Sequence, residues 1–136
     1  MTRSALNKWL HWSHSALMGL VLLAPSTPVF ALYAAVALLW AGVFALKGPT
    51  HKPGPKLDHI ARLTQIWSHR ALYLLTAIAG LCAAVQAAGL DTHLRQLVLA
   101  LFAAGALHAI FNLWRHTTLM DGALKLILPT AVHGIL

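Results

Sequence analysis

The sequence is poor in acid. Of 136 residues only three are acidic, Asp58, Asp91 and Asp121, against ten Lys and Arg, and all three stand in turn-like stretches. A chain with no carboxylate inside its hydrophobic runs lacks the usual intramembrane proton or cation pathway. Cysteine is nearly absent as well. Cys82 alone excludes an intrachain disulfide, a CxxCH covalent haem site and a cysteine-rich zinc or iron–sulfur centre. No GxSxG, HExxH or phosphate loop occurs, so the common hydrolase and nucleotide signatures are missing. Charged residues make up 10% of the chain and apolar ones 59%, more apolar surface than a soluble domain of this length can hide.

What the chain has instead is four apolar runs divided by short polar ones. They predict a single domain over 1–136: an all-α integral membrane protein, a four-transmembrane-helix bundle with both termini cytoplasmic. Helix one is expected over about 4–24, with Trp9 and Trp12 in an interfacial belt. Its run meets Pro25-Ser26-Thr27-Pro28 rather than a small-residue cleavage site, so it reads as a retained helix. The two prolines close a tight turn that sends helix two, about 29–46, back antiparallel. Thr50 to Arg62 reads as a loop leading into helix three, about 64–88. Gly89 to Thr92 is a short turn, with Thr92 a candidate N-cap for helix four, about 93–116. Residues 122–136, broken at Pro129, read as an interfacial amphipathic tail. The net charge of +7 is arranged for a membrane and not for nucleic acid. Nine of the ten cations, Arg3, Lys8, Lys47, Lys52, Lys56, Arg62, Arg70, Arg115 and Lys125, fall on one side and only Arg95 on the other. The positive-inside rule puts the richer side in the cytoplasm.

With that topology, His11, His69 and His108 share one leaflet although they are far apart in sequence. His108 lies about two turns inside an apolar helix, where an imidazole is costly unless a hydrogen bond or a metal satisfies it. Two imidazoles facing each other across a bundle are what a b-type haem needs. Arg62, Arg70 and Arg115 are candidate partners for its propionates or for a quinone oxygen. His69, with Arg70 or Arg115, reads as a cytoplasmic-side polar site for a propionate or a quinone head group, since imidazole can follow electron transfer with a proton. Each histidine, His14 included, also has a plainer reading as an interfacial hydrogen-bonding residue. Trp67 and Trp114 read as belt residues, and His51, His59, His116 and His133 as solvated or interfacial.

The histidines have distinctive neighbours. Leu10-His11-Trp12 follows a Lys/Arg-bearing N-terminus. Ser68-His69-Arg70-Ala71-Leu72-Tyr73 contains an HxxxY pattern, and Leu107-His108-Ala109 is followed by Arg115-His116, Asp121-Gly122 and Leu128-Pro129. In this order the chain resembles the bacterial cytochrome b561 family, four-helix membrane cytochromes that exchange electrons with quinones and include superoxide oxidase. The resemblance implies a multi-pass protein of the bacterial inner (plasma) membrane whose haem b iron is held by His11 and His108. His69, His14, Arg70 and Arg115 are the further candidates for contact with the cofactor. The resemblance also implies ubiquinone as a substrate, membrane lipid, quinone and a partner redox subunit as partners, and a quinone-linked oxidoreductase activity resembling superoxide oxidase. The family's second haem uses a histidine of helix two, and helix two here has none. Ligands for two stacked haems on one helix want a spacing of about 14 residues; that points from His108 to Leu94, and His93 is turned ~100° away. One haem per chain is therefore expected. The alternative, from another class, is a haem-free four-helix membrane assembly or interaction subunit with remnant histidines.

Overall fold

A computed structural model describes residues 2–50 and 52–135; the expectation for His51 lies outside them. Among the described residues the chain is helical throughout: α1 Arg3–Leu23, α2 Thr27–Lys47, α3 His59–Ala87 and α4 Leu94–Thr118, followed by two short 3-10 turns at Ala123–Leu126 and Thr130–Ile135.

Each boundary has a local cause. Thr2 starts α1 by accepting the Ala5 amide at 3.2 Å. Pro28 sits in the first turn of α2, where its missing N–H is harmless. Gly48, at a φ of +68°, stops α2 in a conformation that other residues adopt at a cost. The expected start of helix three near 64 is corrected: α3 begins at His59, because the Asp58 carboxylate accepts the Ala61 amide at 2.7 Å and caps a polar first turn. At α4 the capping position is His93, whose side chain makes no capping bond; the hydroxyl of Thr92 accepts the Leu94 amide instead, at 3.3 Å.

α2, α3 and α4 are long and apolar enough to cross a membrane. α1 has the length, about 31 Å at ~1.5 Å per residue, but carries Arg3, Lys8, His11 and His14 in its first two-thirds.

The helices run alternately up and down, so the two short turns lie at one end of the bundle and the termini and α2–α3 loop at the other. The apolar core sits at the short-turn end. Leu17 and Val21 close α1 there, Tyr33 and Ala37 open α2, Ala83 closes α3, and Leu94 and Val98 open α4. α2 packs most extensively on α3 through small residues. A Cβ on Gly80 would stand 3.1 Å from Ala37 Cβ and from Leu38, so the two backbones approach only because that position is glycine. α4 packs on α3 and, more lightly, on α1.

The tail is held against α1. The Lys8 ammonium donates to the carbonyls of Lys125 (3.2 Å) and Leu128 (2.8 Å), and the Trp12 indole donates to that of Ile127 at 3.1 Å. The tail thus forms two short turns, Ala123–Leu126 and Thr130–Ile135, on either side of Pro129, where the sequence placed the break, and it is tied to α1. With the core packed at the short-turn end, the polar side chains collect at the other.

Candidate functional site

Three histidines, His11, His69 and His108, stand in the terminal half of the bundle, and His14 lies deeper, against Tyr33 of the apolar core. The rings of His69 (α3) and His108 (α4) stand edge to face with centroids 4.6 Å apart. His69 is oriented by its own helix: Nδ1–H donates to the Gln65 carbonyl one turn back, at 2.7 Å. His108 is oriented by a longer chain of contacts. The Asn112 amide donates to His108 Nε2 at 2.8 Å, and the Asn112 carbonyl oxygen in turn accepts from Arg115 Nη1 at 3.2 Å. Arg115 Nε and Nη2 both donate to Asp121 Oδ2, at 2.8 and 2.6 Å, with the two side chains 3% and 1% exposed. Because the guanidinium has no acceptor to offer, it fixes which way the Asn112 amide faces. That in turn puts the His108 proton on Nδ1.

The backbone of the α2–α3 loop covers this ion pair. A Cβ on the buried Gly54 would meet Asp121 Oδ2 at 2.5 Å and Arg115 Nη2 at 2.7 Å. The nearby Lys56 ammonium donates to the Leu119 and Met120 carbonyls just past α4, at 2.8 and 3.2 Å.

His11 lies between the indoles of Trp12 and Trp40, at 5.3 and 5.5 Å, and His14 between Tyr33 and Trp40, at 5.2 and 5.3 Å. Trp40 is held by Asn7, whose side-chain oxygen accepts its indole N–H at 2.9 Å. Ring nitrogens of three of these histidines are buried without a hydrogen-bond partner: Nδ1 of His11, Nε2 of His14 and Nδ1 of His108. Beside the His69–His108 pair a groove of about 280 Å³ opens between α3 and α4, lined by Thr64, Ser68, Leu72, Ala104, His108 and Phe111 among others.

The structure therefore brings His69 and His108 together, links His108 to Arg115 through Asn112, and puts His11 and His14 of α1 on either side of Trp40 of α2. Arg70 is exposed, its guanidinium 5.0 Å over the Trp67 ring, away from the cluster. Arg115, expected to offer a cation to a propionate or quinone oxygen, is already occupied by Asp121 and Asn112. Arg62 reaches back to the Leu57 carbonyl at 3.2 Å. Sequence reasoning missed Asn112, Gln65 and the pairing role of Asp121. The first two carried a signal, since each stands four residues from a histidine and so on the same helix face.

Among the described residues no three His, Cys, Asp or Glu side chains form a group able to hold a metal ion by themselves. A haem iron asks for only two. No protein family, curated protein or solved structure matches this chain.

Proposed function

We propose that this chain is a membrane cytochrome of the b561 kind. It crosses the bacterial inner membrane four times, α1 being the fourth span, with both termini in the cytoplasm. It holds one b-type haem through His11 and His108 and exchanges single electrons with a quinone or a partner redox protein, as a quinone-linked oxidoreductase. The observation that carries the reading is the pair of buried imidazoles, His11 and His108, contributed by two helices at one end of the bundle, each with a ring nitrogen left without a partner. Buried polar atoms are nearly always satisfied, so such orphans call for a ligand, a water or a redox role.

The donors fit the cofactor in kind, since a b-type haem takes neutral imidazoles. They fit it only as a pair drawn from α1 and α4. His69 and His108 touch, which leaves no space for a porphyrin between those two rings. Ligation through His108 Nε2 further requires the Asn112 amide to release that nitrogen. Once bound, the haem supplies reversible one-electron chemistry at its iron. His69, its Nδ1–H committed to Gln65, keeps Nε2 for accepting a proton from a quinol hydroxyl and returning one to a quinone oxygen.

Purified protein should give low-spin haem bands in a reduced-minus-oxidised spectrum. His11→Ala and His108→Ala should each lose them, while His69→Ala should keep the haem and slow its oxidation by quinone. Unchanged bands in both axial variants would refute the assignment. A second reading, the haem-free assembly or interaction subunit, is favoured by the Asn112–His108 bond, which satisfies one histidine nitrogen without any cofactor. Protein expressed with a haem precursor and purified without bands supports that alternative.

A further inference from the structure

We infer that the far end of α4 carries a binding site for the headgroup phosphate of an anionic phospholipid, formed by Lys125 beside His116. The inference rests on α4 crossing the membrane and is independent of haem. Past Thr118 the chain reverses through Met120 and Gly122, at φ of +50° and +71°. A positive φ is uncommon for a side chain such as that of Met120. The reversal brings Lys125 round to His116 and Thr117, and together with Met120 and Gly122 these line an open pocket of about 500 Å³. His116 lines it, and its Nδ1 is buried without a partner. Among the described residues the Lys125 ammonium has no ion pair, the pairing at this end being that of Arg115 with Asp121.

Two features would repel an anion here, and both are answered. Asp121 is adjacent, but its charge is matched by Arg115 at 2.6 Å. The C-terminus of a helix carries partial negative charge, but the Lys56 ammonium covers the Leu119 and Met120 carbonyls. Among the described residues the cation left without an ion pair at this pocket is Lys125. The choice of a lipid over free phosphate comes from the surface that leads to the pocket. Leu107, Ile110, Trp114 and Thr117 are spaced three and four apart and form one stripe along α4. The first three are 69%, 62% and 40% exposed, an apolar track for acyl chains with a tryptophan at headgroup depth. Basic pockets at this level are where anionic headgroups dock.

The test is lipid selectivity of the whole chain in phosphatidylcholine vesicles, read by electron paramagnetic resonance as the association of spin-labelled phosphatidylglycerol relative to spin-labelled phosphatidylcholine. Parent protein should prefer phosphatidylglycerol. Lys125→Ala should lower that preference about fivefold, the share one lysine near a membrane surface contributes. Lys125→Arg should restore it, and Lys47→Ala, an exposed cation at the end of α2, should leave it unchanged. Three results would each overturn the site: no preference in the parent, an equal loss in Lys47→Ala, which would mean diffuse charge, or displacement of the labelled lipid by millimolar inorganic phosphate. Haem content plays no part in the readout, so a failure here and a failure of the cytochrome reading are separate events.

Discussion

Asp121→Asn keeps the size and shape of the side chain and removes only its charge. In the parent, Arg115 and Asp121 are 3% and 1% exposed, and the Gly54 backbone lies across them. An exposed ion pair contributes about 0–1 kcal/mol. Breaking a buried one costs about 3–5 kcal/mol, because a charge is left without compensation. Burial puts this pair in the second class. The amide oxygen of asparagine can still accept from the guanidinium, and Asn112 still holds Nη1, so the expected loss is near the lower bound, about 3 kcal/mol. The assay is reversible unfolding in detergent followed by helical circular dichroism, on the parent, Asp121→Asn, Arg115→Gln and the double variant. The cycle should return a coupling of about 2–3 kcal/mol. Asp91→Asn, in an exposed turn, should change stability by less than about 0.5 kcal/mol. A coupling below about 0.5 kcal/mol would mean that the pair behaves as a solvated one, and the reasoning from its burial would be wrong.

Gly80→Val drives a branched side chain into Ala37 and Leu38, both 3.1 Å from where its Cβ must sit, and should cost at least about 1–3 kcal/mol in the same assay. Gly42→Ala, with nothing within 4 Å, should be neutral or gain up to about 1 kcal/mol; equal effects at the two positions would remove the argument for close α2–α3 contact. A pyridine haemochrome assay against protein mass should give a haem-to-chain ratio near one, because the short-turn end is filled by Tyr33, Leu94 and Val98 and α2 carries no histidine; a ratio near two would mean that another pair of ligands is at work.

The helices and their antiparallel order were legible because apolar runs and Pro/Gly punctuation report directly on local structure. Pro25, Pro28, Gly48 and Gly89 mark the ends in the sequence and stand at them in the fold. The start of α3 was misplaced because the polar residues His59 and Arg62 read as loop, when Asp58 one residue earlier supplied an N-cap signal. Placing His11, His69 and His108 at one end needed only the count of spans. What each polar group pairs with was harder to read. Arg115 looks equally suited to a propionate, a quinone or a carboxylate, and its choice of Asp121 depends on how six residues after it turn back under a loop from another part of the chain. Asn112 carried a readable signal at four residues from His108, but asparagine in an apolar helix has too many possible partners for spacing alone to decide among them.

Arg3, Lys8 and Lys56 end on backbone carbonyls that close other elements: those of Lys47 and Gly48 after α2, of Lys125 and Leu128 in the tail, and of Leu119 and Met120 after α4. These are the same cations from which the positive-inside rule predicts the orientation of the chain. The predicted orientation and the cohesion thus rest on one set of residues, and deleting them to flip the protein would also untie the seams that keep distant segments together. A cleaner route to an inverted protein leaves all three in place and adds lysines at the short turns, 24–26 and 89–92, where no such seam exists among the described residues. Only the insertion signal would then change.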